Sequence, residues 1–233
     1  MSFFEPVSES YISEVISRPT TNHCCEKVCW PGALVRPLTK IVNVSITTGT
    51  FSSSLKKGTV QPTLKPTLDL EQYSSYRPIT NIAFPSKTIE RLAATQACNY
   101  LTDNDLLPKF QSAYRMFHNT ETALVRVCND ILMAIDQHCE VVLVLLDLSP
   151  TFDTSDHDAL LERFHKRYGL SGTYLCWFKS YLSGRTQSVI IKDTESSEVP
   201  VTHVLPQGSV LGPILFAQFF APLEDIIAAH GLT

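Results

Sequence analysis

The stretch LVLLDLSPTFDTSDH, residues 143–157, completes an uninterrupted apolar run, 141–146, and ends it on the carboxylate of Asp147. Phe152, Asp153, Asp156 and His157 follow closely. The run is short, rich in valine and does not alternate, which predicts a strand buried on both faces. A carboxylate leaving the end of such a strand is costly unless it is paired or binds a cation. Its hard oxygens suit Mg²⁺, which keeps waters and phosphate oxygens in its other positions. Two such ions can clamp the attacking and leaving oxygens of a phosphoryl transfer. Asp is also a common turn residue, so Asp147 can equally cap the turn that follows.

Outward from this stretch, helical and extended segments separate at glycines and prolines. Residues 8–17 read as a short helix capped by Ser8, and 38–48 as a helix that stops at Gly49. Residues 50–80 hold Pro62, Pro66 and Pro78 and predict short strands and turns. From Ser86, a candidate N-cap, the apolar spacing turns helical through Leu101. A second helix is expected over 120–137, with Leu124, Val127, Cys128, Ile131 and Ile135 on its core face. Helices over 157–167 and 172–183 end at Gly169 and Gly184, and the segments around the polar stretch DTESS (193–197) read as a hairpin. The last apolar segment follows a Gly/Pro loop and is expected to be helical, with a bend at Pro222.

The 233 residues suffice for one large domain or two small ones, and a composition 44% hydrophobic and 18% charged predicts a packed core rather than disorder. The longest apolar runs, such as VVLVLL, are too short to span a bilayer, and the first ten residues lack the basic and apolar regions of a secretory signal. Seven cysteines, an odd number, favour reduced thiols in an intracellular protein, nuclear or cytoplasmic. Cys24, Cys25 and Cys29 could suggest zinc, but no second Cys/His pair follows at finger spacing. The net charge of −4 argues against a dedicated basic nucleic-acid module. Its distribution softens this: residues 56–115 carry eight basic side chains against five acidic ones. Such a surface can face phosphate or simply face water.

Two further stretches bear on chemistry. In SYRPITNIAFPSKTIE (75–90), Arg77 precedes a rigid proline and Lys87 sits near the start of a helix. Basic groups so placed can grip a triphosphate or a template backbone, or can be ordinary surface cations. In LPQGSVLGP (205–213), Gly208 allows a backbone to approach a ligand closely, and a helix starting near Ser209 and Val210 could offer its amides to phosphate, or the stretch is an ordinary strand-to-helix loop. No Gly-Lys-Ser/Thr follows, so this is not a P-loop.

Five stretches in order carry a resemblance: YRPITN…SKTIE, LPKFQSAYRMFHNTETALVRVCNDI, VVLVLLDLSPTFDTSDHDALLERF, GLSGTYLCWFKSYLSGRTQSV and LPQGSVLGPILF. Together, over roughly 38–233, the chain resembles the reverse transcriptase of non-LTR (LINE-type) retrotransposons. The resemblance implies an α+β fold with polymerase fingers and a partial palm, helices packing on a small, mainly antiparallel sheet. Residues 1–37 would form a partly irregular leader, and 38–233 the fingers and partial palm. It implies that Asp147 is the first catalytic aspartate, binding two Mg²⁺ ions together with the Leu148 carbonyl. Phe152 matches the steric gate against the ribonucleotide 2′-hydroxyl. Gln207 and Gly208 match the loop beneath nucleotide and template, and Arg77 and Lys87 the fingers motif that contacts phosphates. The implied partners are an RNA template, a DNA primer and dNTPs, without a membrane. Asp153, Asp156 and His157 read as structural, in capping and hydrogen bonding.

The sequence departs from this pattern where Pro150 and Thr151 stand in place of small residues, and Pro150 restricts Ser149. Ser155 replaces a usual aliphatic residue. The chain holds no Tyr-Ala-Asp-Asp box, the family's second carboxylate motif, so a fragment without polymerase activity of its own is expected. Two other readings stand beside this one. The first is a template-binding remnant acting through 56–115. The second is a metal-dependent phosphohydrolase using Asp147, Asp153, Asp156 and His157, which requires those groups to converge.

Overall fold

A computed structural model of the chain describes residues 1–17, 34–65, 69, 71–146, 156–202 and 208–231. Asp147, Leu148, Phe152, Asp153 and Gln207 lie outside the described residues, as do Cys24, Cys25 and Cys29. The fold is a mixture of helices and one small mixed sheet. Helices α1 (Glu9–Ser17) and α2 (Val35–Thr48) come first. Strands β1 (Lys57–Leu64) and β2 (Tyr76–Ile82) follow, then α3 (Phe84–Asp103) and α4 (Thr120–Asp136). Next are α5 (His157–Lys166), α6 (Gly172–Leu182) and the strands β3 (Arg185–Ile191), β4 (Thr194–Glu195) and β5 (Val199–Val201). Helices α7 (Gly212–Phe220) and α8 (Pro222–Ala229) are the last, separated at Ala221, with Pro222 in the first turn of α8.

The sheet is built on β1. It pairs antiparallel with β2, Val60 facing Thr80, and parallel with β3, Val60 facing Val189. Pro62 and Pro78, neither with an amide hydrogen, face each other across β1 and the edge strand β2, where proline is tolerated. The parallel pairing ends at Val60, before Pro62. The chain after β3 turns back on it as the polar stretch 193–197 predicts, and both β4 and β5 pair antiparallel with β3. The register shifts by one residue between them, the mark of a bulge.

The core is aromatic and centres on α6, which buries Tyr174, Trp177, Phe178 and Tyr181 at helical spacing. Phe4 packs on Tyr174 with ring centroids 4.1 Å apart, so the amino-terminal segment belongs to this core. Side-chain amides fasten it: Asn43 bonds both backbone groups of Val7, and Gln96 both of Glu5. Gly49 ends α2 in the left-handed conformation (φ 66°), where a Cβ would stand 2.9 Å from the Thr173 carbonyl oxygen.

Several sequence expectations are corrected here. The α3 helix begins at Phe84, with Ala83 as N-cap, because Pro85 fits the first turn; Ser86 is buried inside it. The run 141–146 is neither a strand nor buried: its six side chains are all exposed, Val142 by 85% and Leu145 by 84%. A doubly buried strand requires neighbours that saturate its amides and carbonyls, and none of the described strands pairs with it. Helix α4 forms as periodicity and its Asn119–Thr122 capping box dictate, yet none of its residues is buried, and Leu124, Val127 and Ile135 face solvent. Against the expectation that every apolar run is too short, Gly212–Ala229 is long and apolar enough, by length and composition only, to cross a membrane. In the fold it is two helices, and α7 buries Leu215 and Gln218 in the protein.

Asp156, expected to be structural, is the N-cap of α5, its Oδ1 accepting the amides of Asp158 (2.8 Å) and Ala159 (3.1 Å). Replacing it by alanine leaves both amides without that acceptor. We expect Asp156→Ala to lower stability by about 1 kcal/mol, read as a shift of the urea midpoint at unchanged slope. An unchanged midpoint would show the cap to be dispensable.

Candidate functional site

Strand β2 carries Arg77 into solvent, with Ile79 and Asn81 exposed on the same face, while Thr80 and Ile82 point to the buried face. Lys87 is half-buried in the opening turn of α3. A cation there meets the positive end of the helix dipole, so helix stability does not explain it. Among the described residues, neither Arg77 nor Lys87 has an ion-pair partner.

The loop before α7 sits against this strand. Gly208 adopts φ 110°, and a Cβ there would stand 2.6 Å from the Thr80 carbonyl oxygen. Only glycine allows both the conformation and the approach. Two residues on, the Val210 amide donates to Glu90 Oε2 (2.8 Å), a carboxylate of α3 that is 0% exposed. Glu90 Oε1 accepts from the Ser86 hydroxyl (3.3 Å), and the Gly212 amide donates to Ser209 Oγ (2.8 Å). This corrects the expectation that the amides near Ser209 and Val210 await a phosphate: the helix starts at Gly212, and the Val210 and Gly212 amides already have acceptors inside the protein.

Burial pushes the Glu90 carboxyl above the usual carboxylate range, opposed by the Val210 amide and the neighbouring Arg185 guanidinium. Arg185 is itself buried; it donates to the Tyr181 carbonyl (3.1 Å) and lies 4.7 Å from the Tyr181 ring centre. Burial likewise pushes the Tyr181 phenol up. Nothing in the sequence around Glu90 marks it as a buried acceptor. The separation of 120 residues between it and Val210 left no local signal of their contact.

Asp156 and His157 line a cavity of about 330 Å³ together with Lys179, Gly184, Val201 and Thr202. Asp156 directly follows the segment with Asp147, Leu148 and Phe152, and Thr202 directly precedes the segment with Gln207. Asp156 and Thr202 line the same cavity. A phosphohydrolase site gains no support here, because the Asp156 carboxylate caps a helix. No three His, Cys, Asp or Glu side chains among the described residues are grouped to hold a metal. The expected Mg²⁺ ligands, Asp147 and the Leu148 carbonyl, lie outside those residues.

Comparison with known proteins sharpens the picture. Residues 56–232 match the sequence model of the family described as "Reverse transcriptase (RNA-dependent DNA polymerase)". The chain is 32% identical over 195 residues to a probable RNA-directed DNA polymerase from transposon BS of Drosophila melanogaster, covering 83% of this chain and 21% of that protein. It is 30% identical over 224 residues to the corresponding protein from transposon X-element of the same fly, covering 93% and 24%. Against the RNA-directed DNA polymerase from mobile element jockey it is 32% identical over 189 residues, covering 81% and 20%. The chain spans between a fifth and a quarter of the length of these relatives.

Proposed function

The chain belongs to the reverse transcriptase (RNA-dependent DNA polymerase) family, and on that premise we propose that it forms the fingers and part of the palm of a non-LTR retrotransposon enzyme. The observation that carries this reading is the seating of Gly208 on Thr80 of β2, three residues from the exposed Arg77. That contact supports reading the loop at Gly208 and strand β2 as parts of one surface. Arg77 and Lys87, two cations without carboxylate partners among the described residues, supply charge for a template backbone or a triphosphate. Gln207 and Gly208 form the bed beneath the base pair being made, and Phe152 tests the sugar. The family depends on divalent metal; Asp147 and the Leu148 carbonyl are the proposed ligands of Mg²⁺, which when bound neutralises charge between the primer hydroxyl and the nucleotide phosphates.

The 233 residues hold no Tyr-Ala-Asp-Asp box, so by themselves they are proposed to bind template without extending a primer. One experiment tests both halves. RNA template affinity is measured by fluorescence anisotropy between about 50 and 200 mM salt, beside primer extension with Mg²⁺. Affinity should fall with salt, and reversing both Arg77 and Lys87 to glutamate should weaken it about tenfold or more and flatten the salt slope by roughly one unit per contact. Binding that ignores salt and both reversals would overturn the template reading. Clear extension abolished by Asp147→Ala would overturn the proposed lack of polymerisation.

A further inference from the structure

Glu90 is a buried acid with no part in the chemistry proposed above. Its carboxylate is 0% exposed, and burying an ionisable group is costly unless specific partners repay it. One oxygen takes the Ser86 hydroxyl, one helical turn earlier in α3, and the other takes the Val210 amide from the loop that precedes α7. The same loop meets β2 at the Thr80 carbonyl through Gly208. The loop is thus held from two sides. The β2 backbone supports it at Gly208, and the α3 carboxylate fastens it at Val210. Without the second hold, the Val210 amide would be partly buried and unpaired, and the loop could relieve it only by leaving the surface.

We propose that Glu90 is a positioning residue: it clamps the Gly208–Val210 loop to α3 and thereby fixes the loop against the strand that carries Arg77. Its relevance to nucleotide or template rests on the function proposed above, whereas the clamp itself does not. The hold on Val210 is a hydrogen bond of a given reach, and the neighbouring Arg185 guanidinium adds a charge interaction with the same carboxylate. Glutamine keeps the reach and an acceptor oxygen while removing the charge; aspartate keeps the charge and withdraws the oxygens by one methylene.

The test is hydrogen exchange of the whole chain, followed by mass spectrometry in Glu90→Gln, Glu90→Asp and Glu90→Ala variants. In the aspartate and alanine variants, exchange over 208–212 should rise about tenfold or more, with protection of α6 retained. The glutamine variant should keep protection close to that of the parent. Should the alanine variant fail to fold, the aspartate–glutamine pair still decides. Three results would overturn the clamp: glutamine loosening the loop as much as aspartate, aspartate leaving it unchanged, or a loosening spread evenly over the chain. RNA template affinity measured on the same variants separates the two readings. A loop that loosens as expected in a chain whose parent binds no template removes the proposed function and leaves the clamp.

Discussion

Replacing Trp177 by alanine should lower the stability of this chain by about 3–5 kcal/mol, the range for emptying a large aromatic from a packed core. Trp177 is 0% exposed and sits at the centre of the aromatic cluster. Its ring stacks on Tyr181 at 5.4 Å and meets the edges or faces of Phe4, Phe51 and Phe178 at steep angles. Its indole N–H donates to Ser45 Oγ at 3.0 Å, and that hydroxyl donates in turn to the Thr50 carbonyl. The side chain therefore ties α6 to the end of α2 and to the amino-terminal segment at once. In thermal unfolding the loss should appear as a fall of the order of 10 °C, given roughly 2–4 °C per kcal/mol at this size. Trp177→Phe keeps most of the burial and removes the donor, so it should cost less than half as much. A loss below about 1 kcal/mol for the alanine variant would mean that the cluster is not the core, because large effects come from such buried sites.

The second large effect is expected at Gly208. Alanine there must hold φ near 110°, a region L residues rarely adopt, and place a Cβ 2.6 Å from the Thr80 carbonyl oxygen. That oxygen belongs to the backbone of a paired strand and cannot swing aside as a side chain could. The loop has to leave β2. Stability should fall by about 1–3 kcal/mol from backbone strain alone, and RNA template affinity should fall about tenfold or more if the proposed function holds. Gly184→Ala separates conformation from contact. Gly184 also has a positive φ, 64°, but a Cβ there meets nothing within 4 Å. It should cost about 1 kcal/mol, as one residue in the left-handed region does, and leave template affinity unchanged. Equal loss of affinity in both variants would refute a specific role for the Gly208 contact.

Much of the fold was legible locally. Gly49, Gly169 and Gly184 follow helices with positive φ; the 193–197 stretch turns β3 back on itself; and Pro222 opens a new helix. The Asp156 cap was readable from its place before an apolar-periodic run. Each is decided within a few residues, by a dihedral preference or a hydrogen bond of short range. Where sequence reading failed, the outcome depended on distant chain. The valines and leucines of 141–146 can be a strand only where another strand pairs with them, and the stripe on α4 is a core face only where something covers it.

The candidate site divides in the same way. The order and types of the residues around Arg77, Asp147 and Gly208 sufficed to identify the family, because they are carried in short motifs. By itself the sequence determined the family, most of the helices and the turn positions, all written in neighbouring residues. Only the tertiary structure decided that Gly208 rests on Thr80, that the amides beyond it are satisfied within the protein, and that Glu90 is a buried acceptor. The Gly208–Thr80 and Val210–Glu90 contacts span more than a hundred residues of chain, and packing alone brings their two halves together.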